Sequence, residues 1–205
     1  WNTLVFYKKN AKFVSFHQDL KYWKFQNSNC LTVSVALTKS TKKNGCLVVI
    51  PKSHLGEDIH IKEKSSNNLL ANFQSVNVRN REKKYFELEP GEFSIHHGNI
   101  VHGSYANETN DTRMLLALRY ASANNGSKIY NTATYINRKL NNNFIPEPLI
   151  KNDFDIQSLI FREKLLKKTY QYYFKKKFNF LNFKILLVFI LNFFIRYLYY
   201  LFFRK

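Results

Sequence analysis

The sequence predicts a single mainly β domain, a sandwich or barrel, followed by a helix, and three observations predict it. Short runs rich in β-branched and aromatic residues recur, turn dipeptides separate them, and beyond Asp153 the apolar spacing changes from that of strands to that of a helix. The 205 residues, 45% hydrophobic and 17% aromatic, can bury one sizeable core and lie far from the composition of disordered chains.

In chain order, the strand-like runs are 12–16, 31–38, 46–50, 85–88, 93–96, 100–104 and 114–121. Asn44-Gly45 and Pro90-Gly91 are turn dipeptides between such runs, whereas 65–68 and 77–80 belong to one long polar connection. The stretch 141–148, with three consecutive Asn and two Pro, reads as a linker. Beyond it Ile156, Leu159, Ile160, Leu166, Tyr170 and Phe174 recur at helical spacing, with Asp153 placed to cap the helix. After Lys175-Lys176-Lys177 the chain is apolar on all sides. The expected organisation is therefore a β domain at 1–150, an amphipathic helix at 151–177 and an apolar tail at 178–205.

The formal charge is +18, but residues 162–205 carry 11 Lys and Arg against the one acid Glu163, a net of +10 that leaves +8 for the rest. No basic-aromatic recognition motif accompanies this charge, so no nucleic-acid partner is expected. The tail is the candidate for a membrane partner. As a helix at about 1.5 Å per residue, 185–203 would extend roughly 28 Å, close to the hydrocarbon thickness. Asn192 and Arg196 weaken that reading, while Tyr197, Tyr199 and Tyr200 suit the interface. Lys175 to Lys177 and Lys184 outnumber Arg204 and Lys205, which places the β domain on the cytoplasmic face. Cys30 and Cys46 sit in apolar runs and read as buried thiols. No secretory signal is visible, and the chain opens at Trp1, so its beginning is expected to be missing. Nothing in the sequence indicates an oligomeric state.

Two groups of residues carry chemistry. His17-Gln18-Asp19 lies at the end of a strand-like run, where residues i and i+2 share a face and an imidazole and a carboxylate converge. His-x-Asp alone is common, and a metal site needs a third ligand; two His and one carboxylate would leave positions open for a bidentate cosubstrate and dioxygen. His102 precedes Gly103-Ser104 in another strand-like run, and Arg113 heads the next. Arg113 suits a bidentate pair with a carboxylate bound beside a metal, and Ser104, on the face of His102, could donate to the same group. The alternative for Arg113 is a solvated rim charge.

The run Phe16-His17-Gln18-Asp19-Leu20-Lys21-Tyr22-Trp23 resembles the metal motif of the phytanoyl-CoA dioxygenase family. Asn44-Gly45-Cys46, the apolar strand after it and Pro51-Lys52-Ser53-His54 are similar to that family's second signature. Pro90-Gly91-Glu92, then His97 to Ser104 with Asn107 and Arg113, resemble the third. The resemblance covers about residues 4–125 and weakens towards 160.

The resemblance implies a double-stranded β-helix, or jelly roll, with iron(II) held by His17, Asp19 and His102. It implies 2-oxoglutarate and O2 as cosubstrates, with Arg113 as the carboxylate partner and Ser104, Trp23 and Thr32 lining the cosubstrate site. His97 lies near the site without being a ligand, His54 and His96 are structural, and His60 is a loop residue. The implied reaction hydroxylates an aliphatic C–H of a small-molecule or lipid-like substrate and releases succinate and CO2. Related halogenases replace the carboxylate with a small residue, so Asp19 favours hydroxylation. Two departures stand out: Lys52 occupies a position where the family usually has Gly, and only sixteen residues precede His17, where members usually carry a longer region that includes the first barrel strand, so a fragment with an incompletely closed barrel is expected. The competing readings are a non-catalytic jelly-roll binding protein and a basic, membrane-associated adaptor.

Overall fold

The computed structural model of the protein describes residues 2–9, 12–62, 67–70, 74–127, 132–136, 144–147 and 156–173. The chain forms two compact units, Trp1–Glu147 and Pro148–Lys205. In the second, the expected helix forms as α2 (Ile156–Tyr173; the short helix of the first unit is α1, below). The tail 178–205, and with it the anchor expectation, lies outside the described residues. Among the described residues, no helix is long and apolar enough to cross a membrane.

The first unit is built from β1 (Asn2–Tyr7), β2 (Val14–His17), α1 (Leu20–Trp23), β3 (Cys30–Ala36) and β4 (Leu47–Val49). These are followed by β5 (His60–Lys62), β6 (Gln74–Val76), β7 (Lys84–Phe86), β8 (Phe93–His97), β9 (His102–Ser104) and β10 (Arg113–Ala121), then by the short parallel pair β11 (Thr132–Ala133) and β12 (Ile145–Pro146). Every strand expected from the sequence forms. Two four-stranded antiparallel sheets result, ordered β1-β10-β3-β8 and β2-β9-β4-β7. Strands β1 to β4 alternate between the two sheets, as do β7 to β10, and β4 pairs with β7 where the chain turns back, which is the winding of a double-stranded β-helix.

Two expectations are corrected. The N-terminal residues do supply a strand: β1 pairs along β10 from Asn2↔Leu118 to Tyr7↔Arg113, as its Thr, Leu, Val, Phe and Tyr content favours. The polar connection also contains structure, since β5 pairs with β6 from His60↔Val76 to Lys62↔Gln74. Val76 joins Ile50 and Val101 in an apolar cluster, with Phe16 and Val78 packed on it.

Turns set the approach of the strands. Gly45 has φ +80°, and a Cβ there would lie 2.5 Å from the Tyr105 carbonyl oxygen, so only glycine fits. Its neighbour Asn44 closes the turn by accepting from the Thr41 amide at 2.7 Å and donating to the Lys39 carbonyl at 2.9 Å. Lys52 adopts φ 63°, so the backbone keeps the left-handed conformation that Gly favours, and the Cβ of Lys makes it strained there. A left-handed non-glycine residue costs roughly 1–2 kcal/mol, and glycine gives back about 0.5–1 kcal/mol through its looser unfolded chain. Lys52→Gly should therefore stabilise the protein by up to about 1.5 kcal/mol. Thermal unfolding tests this, and a lower Tm in the variant would show that the turn carries no such strain.

Candidate metal centre

β2 ends at His17, and the chain turns at once into α1, with Asp19 at the cap position and Gln18 between them. Asp19 makes no side-chain capping bond, so its carboxylate is free to turn inward. The convergence of His17 and Asp19 thus comes from the strand-to-helix turn and not from continued strand alternation. His102 comes from the neighbouring strand, since β2 and β9 place His17 directly opposite His102. Their ring centroids are 4.4 Å apart.

His17 Nδ1–H donates to the Ser15 carbonyl at 2.8 Å, and His102 Nδ1–H donates to the Ile100 carbonyl at 3.0 Å. Both bonds fix the tautomer that leaves Nε2 as a bare lone pair. These atoms face one carboxylate: His17 Nε2 lies 3.4 Å from Asp19 Oδ1, and His102 Nε2 lies 3.9 Å from Asp19 Oδ2. With bonds of about 2.1 Å, two donors at right angles on one ion lie about 3 Å apart, so the three side chains close on a divalent ion with only small rotations. Ligand atoms of His17, Asp19 and His102 all lie within 4.8 Å of one another. Two imidazoles and a carboxylate suit non-haem iron(II).

Burial pushes the His102 pKa down to about 3, reinforced by His17 and opposed by Asp19, so this ring is neutral at physiological pH. Burial alone would raise the Asp19 pKa, but His102, His17 and Arg119 outweigh it and hold the carboxylate below its usual range. His102 and Asp19 are therefore already in the protonation states a cation requires.

A second polar group lies two residues further along β9. Ser104 Oγ is 3.1 Å from the hydroxyl of Tyr7, and the Arg113 guanidinium stacks 4.2 Å from the centre of the Tyr7 ring. Arg113 is 3% exposed, which rules out a rim charge. Its Nε has no hydrogen-bond partner, and among the described residues no carboxylate pairs with it. Burial lowers its pKa, the direction expected of a cation that lacks an anion. Thr32 and Trp23 are also buried but lie elsewhere: Thr32 registers with Arg119 and His96 across β10, β3 and β8, and the Trp23 ring lies 5.9 Å from the Arg119 guanidinium. The structure thus separates Arg113 and Ser104 from Thr32 and Trp23.

Several residues at the site were read otherwise from sequence. His96, read as structural, is buried with its ring 4.9 Å from that of His102, whereas His97 points to the other face of β8 and lies 5.5 Å from His54. His60, read as a loop residue, is in β5 and accepts the Gln18 amide at Nε2, 3.2 Å away. Gln18, fully buried, donates to the carbonyls of Gly56 and Asn99 at 3.0 and 2.8 Å and accepts from the Asp58 amide at 3.1 Å. It ties the turn carrying Asp19 to the 53–58 segment, and the signal for this was its place between the two motif residues.

Comparison with known proteins agrees with this architecture. The model of the family described as phytanoyl-CoA dioxygenase matches residues 1–115. A probable phytanoyl-CoA dioxygenase of Caenorhabditis elegans is 31% identical over 121 residues, 55% of this chain and 38% of that protein. The peroxisomal phytanoyl-CoA dioxygenase of Homo sapiens is 30% identical over 112 residues, 52% of this chain and 33% of that protein. The chain thus spans about a third of the length of these relatives. Among solved structures, the non-heme monooxygenase ThoJ in its apo form superposes with a TM-score of 0.64 over 83% of this chain and 64% of that one, at 22% identity, a likeness of fold. With its first 115 residues matched to the family model, the chain belongs to the phytanoyl-CoA dioxygenase family.

Proposed function

We propose that this protein is an iron(II)- and 2-oxoglutarate-dependent dioxygenase that hydroxylates an aliphatic C–H of a small-molecule or lipid-like substrate. The observation that carries this reading is one pairing inside one barrel. Two Nε2 lone pairs and a carboxylate face each other at His17, Asp19 and His102, and a buried guanidinium without a carboxylate, Arg113, lies near Ser104, two residues along the strand.

Iron(II) bound there, with 2-oxoglutarate and O2, supplies oxidative chemistry that couples decarboxylation to succinate and CO2 with hydroxylation of the substrate. The chain's own residues hold and orient. His17, His102 and Asp19 would hold the metal, and the Ser15 and Ile100 carbonyls keep both rings in the ligating tautomer. Arg113 would pair with the distal carboxylate of 2-oxoglutarate, with the Ser104 hydroxyl as a further donor and Tyr7 keeping both in place. Thr32 and Trp23 would line the cosubstrate site away from Arg113. With a metal bound, the Asp19 carboxylate would take the place that a halide needs, which supports hydroxylation.

In this reading, 1–150 is the catalytic domain, 151–177 a flanking helix and 178–205 a tail that attaches the enzyme to the cytoplasmic face of a membrane; the tail's role is supported by its composition alone. The test of activity is succinate formation by the full chain with iron(II), 2-oxoglutarate and a panel of small-molecule substrates. Iron-dependent succinate well above that of Asp19→Ala is expected, and equal rates in the two proteins would contradict the reading.

A further inference from the structure

The turn that carries Asp19 cannot hold itself in place. α1 is a single turn of four residues, too short to be stable alone, and its cap residue Asp19 turns its carboxylate to the metal centre and not to the helix end. Bonds from outside the turn fix it, and they act through Gln18. The Gln18 side chain donates to the carbonyls of Gly56 and Asn99 and accepts the Asp58 amide, while its backbone N–H donates to His60 Nε2. Gly56 and Asp58 belong to a stretch without regular structure that leads into β5. Leu55 and Ile59, on either side, are 78% and 82% exposed, so apolar packing does not hold this stretch.

Asp58 is where the bonds converge, and it uses all three of its polar groups. Its N–H donates to Gln18 Oε1 at 3.1 Å, and its carbonyl accepts from His60 Nδ1–H at 2.9 Å. Because His60 Nε2 accepts the Gln18 amide, the imidazole closes a ring of bonds from the Asp58 peptide back to the Gln18 backbone. The Asp58 carboxylate accepts from Arg81 Nη1 at 2.9 and 2.8 Å. Arg81 stands between β6 and β7, and its own amide closes a turn on the Val78 carbonyl at 3.2 Å. The ion pair therefore ties an irregular stretch to a turn held between two strands. With side chains 31% and 28% exposed, such a pair adds little to global stability. Its consequence is positional, because the Asp58 peptide that it fixes holds both the side chain and the backbone of the residue between His17 and Asp19.

We propose that Asp58, latched by Arg81, is a positioning residue of the metal centre: through Gln18 it keeps the turn after β2 where His17 and Asp19 reach one ion together. The inference rests on the dioxygenase reading. It places the control of metal-ligand geometry in a stretch that contributes no ligand, and it leaves the Arg113 end alone, since Arg113 stands on β10 in the other sheet.

The test titrates manganese(II) into the full chain and follows the free and bound ion by electron paramagnetic resonance. Arg81→Gln and Asp58→Ala should each weaken manganese binding by roughly 3–10-fold, less than the 10–100-fold typical of groups bonded directly to a ligand. At saturating manganese the spectrum of the bound ion should broaden in both, because the ligand positions spread, and 2-oxoglutarate affinity should not change. Arg81→Lys keeps a cation within reach and should restore most of the affinity. The double variant should bind no more weakly than Asp58→Ala alone, since the pair acts as one unit. Glu89→Gln, which breaks the exposed Lys39–Glu89 pair, is the control and should alter neither affinity nor spectrum. Unchanged affinity and spectrum in Arg81→Gln, additive losses in the double variant, or an equal loss in Glu89→Gln would overturn the latch and leave the dioxygenase reading intact. Failure of the unmodified chain to bind manganese would overturn both.

Discussion

Asp19→Ala and His102→Ala should each abolish stoichiometric binding of iron(II), and of manganese(II) as its redox-inert surrogate. Each change removes one of three ligand atoms that lie within 4.8 Å of one another. Changing a residue that only orients a ligand typically weakens metal binding by roughly 10–100-fold, so loss of a ligand itself should exceed that range. Asp19 carries the only negative charge of the set, and its loss leaves two neutral imidazoles to hold a dication. Anaerobic isothermal titration measures the effect. Undiminished binding in His102→Ala would remove His102 from the site and with it the pairing of β2 and β9 as the source of the geometry.

Arg113→Gln should act on the cosubstrate and spare the metal. Truncating one partner of a buried charge pair costs about 2–5 kcal/mol, so the apparent KM for 2-oxoglutarate should rise by roughly 30-fold or more, at about 1.4 kcal/mol per tenfold. The same substitution should slightly raise the Tm of the metal-free protein, because it removes a buried guanidinium that no carboxylate compensates. The stabilisation that 2-oxoglutarate confers on the unmodified protein should disappear. This combination, a more stable resting protein with a weaker cosubstrate site, separates an anion-binding role from a structural one. An unchanged KM would mean that Arg113 serves the fold and that the distal carboxylate is held elsewhere.

Much of this was legible in the sequence, for identifiable reasons. The runs that became β2, β3, β4 and β7 to β10 are short, β-branched and bounded by turn residues, so local propensity and global fold agree there. His17, Asp19, His102, Ser104 and Arg113 could be nominated by motif, but their meeting depends on the His17↔His102 register, a contact between residues far apart in the chain that spacing does not encode. β8 shows where pattern reading inverts. On a wall that faces a polar site, the apolar side chains point outward, so Phe93 and Ile95 disguised Ser94 and His96, and the choice between His96 and His97 turned on a single residue of register. β1 was missed because its run stands at the very start of the chain, with no preceding turn signal to mark it. His60 was missed because a polar connection gives no periodicity from which to infer the β5–β6 pairing that brings it to Gln18.

The most direct test of the central claim is anomalous X-ray diffraction from crystals of the full chain soaked anaerobically with iron(II), collected on both sides of the iron absorption edge. One strong anomalous peak is expected, bounded by Nε2 of His17, Nε2 of His102 and the carboxylate of Asp19. A crystal with no peak at that position, or with its dominant peak at other residues, would contradict it.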